Sequence, residues 1–237
     1  MPTADSALVI LTKAPQAGES KTRLVPPLSF EEAAELAQAL LIDQLRNLAH
    51  FTTAQLFLAF TPKSAASFFE TLLPPGAACF SQQGDSLGDR MRHAFGVLFS
   101  RGFGRVVLIG GDLPAVPVKI LSDAFTALEN THRQVVLGPS LDGGYYLVGM
   151  NQLIQEIFDG IIWSQPDVLA ATVAKLGALK RKYELISTWY DIDTVNDLRR
   201  LDSDFAAAPA GLMENTLALL QKFKQRGKLV LDGHKRF

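Results

Sequence analysis

Lys13, Lys21 and Arg23 crowd cations into one short stretch near the start of the chain, and Asp112, Asp142, Asp191 and Asp193 supply carboxylates far downstream. Fixed cations at close spacing suit a polyphosphate guest. Carboxylates suit Mg²⁺, which takes one or two protein carboxylates and fills its shell with water and phosphate oxygens. If the two sets converge, the chemistry they support is group transfer at a nucleotide phosphate. Each set alone also has an ordinary explanation. The basic stretch can be a solvated turn, Asp112 a turn residue before Leu113-Pro114, and Asp191 and Asp193 the acidic start of a helix.

Convergence requires elements that bring these residues to one edge. Ala7 to Leu11 is a continuous apolar run, the signature of a strand buried on both faces, so Lys13 emerges at its carboxyl end. That edge is where open α/β sheets bind ligands. Pro15 and Gly18 keep the following stretch from becoming a helix. Gly18-Glu19-Ser20-Lys21-Thr22 ends like a phosphate-binding P-loop, but Ser20 and Pro15 occupy the positions that motif reserves for glycine. Val25-Pro26-Pro27 also bars the helix a P-loop feeds. Val106 to Ile109 is a second buried-strand run and ends at once in Gly110-Gly111-Asp112. Val135 to Gly138 leads to Asp142-Gly143-Gly144 and then to Tyr145 to Val148, and Trp189 to Asp193 precedes Thr194.

Helices are expected between these runs. Ser29 and Glu32 form a capping box ahead of a helix with Ala33, Ala37, Leu40, Leu41, Leu45 and Leu48 on one face. Ser86 with Asp89, and Thr194 with Asp197, box two more. Ser164 with Asp167 is expected to box another, with Pro166 in its first turn. Strands near Ala54 to Phe60 and Ala77 to Phe80, and helices over Ala65 to Leu72, Val118 to Leu128 and Met213 to Phe223, complete the reading. Alternating strands and helices imply an α/β, three-layer α/β/α sandwich around a mostly parallel sheet.

The 237 residues fit one domain, 1–237, with a core over 7–201 and a helix and tail over 202–237 set off by the spacer Ala206 to Gly211. A net charge of -1 gives no field for nucleic acid or an anionic membrane, so neither is an expected partner. Cys79 is the one cysteine, which excludes an internal disulfide and fits a reducing cytoplasm. With no secretory h-region and no span, the expected location is cytoplasmic.

Taken in order, six blocks carry a resemblance. They are Lys13-Ala-Pro-x-x-Gly18-x-x-Lys21-Thr-Arg-Leu, Gly84-Asp-x-Leu-Gly-x-Arg90-Met91, Gly111-Asp112-x-Pro114, Gly138-Pro-x-x-Asp142-Gly-Gly-Tyr-Tyr-Leu-x-Gly149, Trp163-Ser164 and Asp191-x-Asp193-Thr194. Across residues 7 to about 201 the chain resembles the bacterial DUF2064 family. That family is a branch of the glycosyltransferase-A-like superfamily, similar to the guanylyltransferase of coenzyme F420 biosynthesis and to molybdenum-cofactor nucleotidyltransferases. The resemblance implies a Rossmann-like nucleotide-diphospho-sugar transferase (GT-A) fold. It implies nucleotide binding by Lys13, Ala14, Gly18, Lys21, Thr22 and Arg23, with Gly84, Asp85 and Arg90 in the base-recognition region. It implies Mg²⁺ or Mn²⁺ at Asp112 with Asp193 or Asp191, and an acceptor side lined by Asp142, Gly143, Gly144 and Trp163. Ser86 stands where many relatives carry an acidic residue, and Gly111 where serine is expected.

The expected activity is Mg²⁺-dependent transfer from a nucleoside triphosphate to a small phosphorylated or hydroxyl acceptor, with Lys21, Arg23 and Asp112 carrying catalysis and pyrophosphate leaving. A glycosyltransferase using a nucleotide-sugar donor would share nearly every residue. Two other classes compete. Gly84-Asp85-Ser86-Leu87-Gly88 satisfies Gly-x-Ser-x-Gly, so a serine hydrolase through Ser86 is one, although His93, His132 and His234 lack supporting context. A nucleotide-binding protein without turnover is the other.

Overall fold

The structure is a computed structural model that describes residues 5–130, 132, 134–209 and 211–229. Seven strands form one sheet: β1 (Ser6–Lys13), β2 (Gln55–Thr61), β3 (Ala78–Ser81), β4 (Arg105–Gly110), β5 (Val135–Pro139), β6 (Tyr145–Met150) and β7 (Tyr183–Leu185). Their order is β3-β2-β1-β4-β6-β5-β7. All pairings are parallel except those of β6, which runs antiparallel to both β4 and β5. Because β6 is reversed, its start lies beside the ends of its neighbours: Tyr145 pairs with Pro139, and Leu147 with Ile109 and with Gly138. The turns after β1, β4 and β5 and before β6 therefore share one edge.

Side-chain alternation along the strands builds a core on each face of the sheet. Leu8 and Ile10 of β1 point into one core with helices α1 (Phe30–Leu48) and α4 (Val118–Glu129). Ala7 and Val9 point into the other, with α3 (Leu87–Ser100) and Leu176 of α5 (Val168–Ala178). Helix α2 (Ala66–Leu72) joins the first core through Phe69, which stacks on Phe60 with ring centroids 4.8 Å apart. The expected three-layer arrangement with helices on both faces is thus what forms.

A third cluster lies outside the layers, where α6 (Val195–Asp204) and α7 (Glu214–Gln225) pack on α1 around Leu36, Leu40, Tyr190, Leu198, Leu220 and Phe223. The joint is polar at its centre. The buried carboxylate of Asp43 accepts from Asn215 N at 3.2 Å and Nδ2 at 2.6 Å, and from Thr216 N at 2.8 Å and Oγ1 at 2.7 Å. A carboxylate from α1 thereby satisfies the free amides at the start of α7.

The capping boxes at Ser29–Glu32, Ser86–Asp89 and Thr194–Asp197 are all present. The box expected at Ser164–Asp167 is not. Helix α5 begins at Val168, Asp167 makes no side-chain cap bond, and Ser164 has φ 62° in the left-handed region. A tertiary contact governs this stretch instead: Leu169 N donates to Gly143 O at 3.0 Å, and Pro166 O packs so close to Gly143 that a Cβ there would lie 1.9 Å away. The spacer over 206–211 falls within the described residues except at 210, and the tail beyond 229, with His234, lies outside them. Among the described residues no helix is long and apolar enough to cross a membrane.

Candidate active site

The chain after β1 folds back on itself before it enters α1. Glu19 N and Ser20 N both donate to Gln16 O, and the Ser20 hydroxyl accepts from Gln16 N at 3.0 Å. This turn returns Glu19 to Lys13, whose ammonium sits 3.0 Å from the Glu19 carboxylate. Lys21 follows with φ 50°, a left-handed backbone that costs a non-glycine residue on the order of 1 kcal/mol. That conformation aims its side chain inward, where only 2% of it is exposed.

The stretch leading to α6 brings the other charges. Trp189 N donates to Pro139 O at 3.1 Å at the end of β5, and Ile192 N donates to Asp112 O at 3.1 Å just beyond β4. Residues 189–193 are thereby laid across the sheet edge, with Asp191 and Asp193 beside Asp112. Lys21 Nζ lies 3.0 Å from both Asp112 Oδ2 and Asp193 Oδ1, and Arg23 Nη1 lies 3.6 Å from Asp193 Oδ2. Cations from the start of the chain and carboxylates from its middle and later parts do converge.

The electrostatics follow from this contact. Burial works against the charge on Lys21, but the Asp112 and Asp193 carboxylates outweigh it and hold the ammonium above its ordinary pKa. Burial pushes Asp193 upward, yet Lys21 and then Arg23 keep it below the usual carboxylate range. Asp191 moves the other way, raised by burial and then by the neighbouring charges of Asp193 and Asp142. Its Oδ1 also accepts from Ser140 Oγ at 3.3 Å.

Two adjoining recesses open at this edge and share Leu11, Leu87, Gly111 and Asp112 in their walls. The smaller, of ≈ 230 Å³, is bounded by Lys13, Lys21, Gln82 and Arg90. The larger, of ≈ 460 Å³, is bounded by Asp142, Gly144, Tyr145, Trp163, Asp191 and Asp193, with Arg23 at its side. Asp112 stands between them. Of the residues expected to bind nucleotide, Lys13, Lys21 and Arg90 reach the smaller recess and Arg23 the larger. Ala14 is buried and donates its amide to Thr61 O at 2.7 Å, while Gly18, Thr22, Gly84 and Asp85 stand outside both walls. Gly84 instead offers its carbonyl to Arg90 Nε at 3.1 Å. Of the acceptor-side set, Asp142, Gly144 and Trp163 line the larger recess and Gly143 supports it from behind through Pro166. Tyr145 and Tyr146 point to opposite faces of the sheet, and a single pocket-facing tyrosine is expected from that alternation. Both border the recess, because it wraps over the end of β6.

Several contributors escape a reading of the sequence. Gln82 fixes the floor of the smaller recess by donating to Thr12 O at 2.7 Å and Ala59 O at 2.8 Å. Ser140 orients Asp191, and Gly88 makes room for Trp163, whose ring would lie 2.9 Å from a Cβ at that position. Glu19 neutralises Lys13. Gln82, Ser140 and Gly88 fall within or beside the recognised blocks, which was the one signal available. Ser86 has its hydroxyl committed to the cap, donating to Asp89 Oδ2 at 2.6 Å and accepting from Asp89 N at 3.1 Å. His93 lies against Phe80 with ring centroids 6.2 Å apart.

Among the described residues no group of three or more His, Cys, Asp or Glu side chains assembles into a metal cluster. A cation such as Mg²⁺ does not require one. Asp112 directs one oxygen at Lys21 while its side chain is 56% exposed, and Asp193 is 36% exposed, so the hard oxygen donors at this edge fit such an ion.

The same architecture occurs in solved structures. A protein of Desulfovibrio desulfuricans G20, provisionally named a nucleotide-diphospho-sugar transferase, superposes with a TM-score of 0.84 at 32% identity over 94% of this chain and 96% of that one. A cytidylyltransferase from Leptospira borgpetersenii matches in fold with a TM-score of 0.63 at 14% identity over 98% and 99% of the two chains. In sequence, a phosphoenolpyruvate guanylyltransferase of Mycobacterium leprae is 30% identical over 138 residues. That match takes in 56% of this chain and 62% of the relative, so the chain spans less than two thirds of the curated relatives it matches. A model of the family described as "uncharacterized protein conserved in bacteria (DUF2064)" matches residues 44–165. With half of its length matched by that model, the chain belongs to the DUF2064 family.

Proposed function

We propose that this protein is a Mg²⁺-dependent nucleotidyltransferase that moves a nucleotidyl group from a nucleoside triphosphate to a small phosphorylated or hydroxyl acceptor. The observation that carries the reading is the junction of Lys21, Asp112 and Asp193 at 3.0 Å, set at the boundary of two recesses. The smaller recess, with Lys13, Lys21 and Arg90, receives the triphosphate, and the larger receives the acceptor. An acceptor oxygen attacks the α-phosphorus, the new P–O bond forms as the α–β anhydride bond breaks, and pyrophosphate departs in line. A hydroxyl acceptor gives its proton to solvent. No enzyme nucleophile is needed, so positioning and charge neutralisation supply the rate. Asp112, with Asp193 or Asp191, would hold Mg²⁺, which when bound supplies charge neutralisation at the phosphate oxygens. Lys21 fixes the distance between Asp112 and Asp193 and, with Lys13 and Arg90, brings positive charge to the departing group, while Arg23 approaches it from the wall of the larger recess. The guanylyl transfer in the name of the Mycobacterium leprae relative supports the nucleotidyl-transfer step of this reading.

Glycosyl transfer from a nucleotide-sugar is the second reading, favoured by the 32% identity across nearly the whole chain to the Desulfovibrio protein. The products separate them, pyrophosphate in one case and nucleoside diphosphate in the other. Calorimetric titration of each nucleoside triphosphate, with and without Mg²⁺, tests what both share. Metal-dependent binding that Asp112→Ala abolishes is the expected result. Identical weak heats for wild type and Asp112→Ala would remove the metal-nucleotide claim.

A further inference from the structure

The larger recess carries charge of the same sign as a phosphorylated acceptor. Asp112, Asp142, Asp191 and Asp193 all border it, and among the described residues Arg23 is its single cationic wall residue. Arg23 already faces Asp193 at 3.6 Å, and Lys21, next to it, is divided between Asp112 and Asp193. Among the described residues no bordering cation is therefore left without a carboxylate. A divalent ion at Asp112 would not change this, because a donor triphosphate brings more negative charge than one such ion offsets. Ser140, Ser164 and Gln165 add uncharged polar groups to the walls, and Leu87, Met91, Tyr145 and Trp163 supply an apolar, aromatic lining. Trp163 is held edge-to-face against Tyr145 at 6.4 Å between ring centroids and seated on Gly88. Leu141 (60%) and Ile162 (75%), next in the chain to Asp142 and Trp163, are exposed.

Resting on the transferase reading above, we infer that the acceptor is an uncharged or cationic hydroxyl compound with an apolar face, not a phosphate or carboxylate anion. An anion entering here would leave water for a cavity of like charge, which costs more than the aromatic wall returns. A hydroxyl donor finds abundant carboxylate acceptors, and an ammonium finds countercharge and aromatic faces. Asp142 is the specificity-determining residue in this scheme. It is exposed, with one oxygen turned to Gly144 N at 2.9 Å, and it takes no part in the Lys21 junction.

The test offers hydroxyl compounds in matched sets, each as the free alcohol, the amino alcohol and the phosphate monoester, with phosphoenolpyruvate as a further anion. Nucleotide consumption is followed for wild type and Asp142→Lys. Free and amino members should exceed their phosphorylated counterparts in kcat/KM by about tenfold or more, and Asp142→Lys should narrow that gap. A wild-type preference for the phosphorylated members, or for phosphoenolpyruvate, overturns the inference. A second measurement needs no turnover. With Trp189→Phe leaving Trp163 as the sole tryptophan, cesium and iodide quenching are each normalised to free N-acetyltryptophanamide. Cesium should quench at least about twice as effectively as iodide, and Asp142→Lys should reduce the ratio. Iodide quenching equal to or above cesium overturns the inference even if nucleotides bind. Loss of all nucleotide binding with cesium still favoured removes the transferase reading and leaves the recess assigned to neutral or cationic ligands.

Discussion

An ammonium with 2% of its side chain exposed stays charged because Asp112 and Asp193 face it at 3.0 Å. Replacing Lys21 by methionine keeps the volume but sets two carboxylates against each other. Both carboxylates are partly exposed, so water relieves some of the repulsion, and the expected loss is on the order of 1–3 kcal/mol in urea unfolding. In binding, Lys21→Ala should weaken triphosphate more than nucleoside, and equal losses would show that Lys21 does not serve the phosphates. Gly88→Val tests the seat of Trp163. A Cβ there would lie 2.9 Å from the indole, so the ring must move, which should shift its emission and lower acceptor-dependent turnover while nucleotide affinity holds. At this scale the sequence reveals residue types and not their pairings. Lys13, Lys21 and Arg23 read as free cations for a guest, yet each has a carboxylate, because Glu19 returns through a local turn and Asp193 arrives from a segment whose path only the fold determines.

Helix boundaries divide in the same way. The boxes at Ser29, Ser86 and Thr194 were legible because donor and acceptor lie three residues apart and need nothing else. Ser164–Asp167 has the same spacing and fails, because the contact of Pro166 with Gly143 sets the backbone first. The attachment of α7 to α1 has no local signal at all, since Asp43 meets its partners 172 and 173 residues away. Asp43→Ala should cost about 2–4 kcal/mol, because it strands buried amides and the Thr216 hydroxyl, and proteolysis should then begin around α7. Glu32 ties the same joint to Arg226 and Lys228. Burial pushes its carboxyl up, but Lys228, the Ser29 amide and Arg226 outweigh that and hold it below the ordinary range. A depressed folded pKa adds stability that is present above the unfolded value and lost as pH falls through the folded one. The α1–α7 joint should therefore loosen on acidification below about pH 4.5, and Glu32→Gln should flatten that part of the pH–stability curve.

For the molecule as a whole, the layered α/β plan was readable because apolar runs and amphipathic stretches alternate. The reversal of β6 was not, since an apolar run carries no mark of strand direction. That reversal is what sets the Ser140–Gly144 turn beside Asp112, so the acceptor side was legible in its residues but not in its assembly. Because the cleft joins segments from the beginning, middle and later parts of the chain, a triphosphate with Mg²⁺ should raise the melting temperature cooperatively and as a function of ligand concentration. Unchanged melting at saturating ligand would count against binding at the junction.

The tie between Lys21 and Asp193 also orders events during synthesis. The two residues lie 172 positions apart, so a ribosome that has released the first strands still holds the second countercharge. Until the later stretch emerges, Lys21 has at most half of its compensation, and the loop that carries it has reason to stay open to water. Nascent chains arrested before and after Asp193 should differ in how readily a lysine-directed reagent labels Lys21, with maturation of the cleft appearing as a late step of biogenesis.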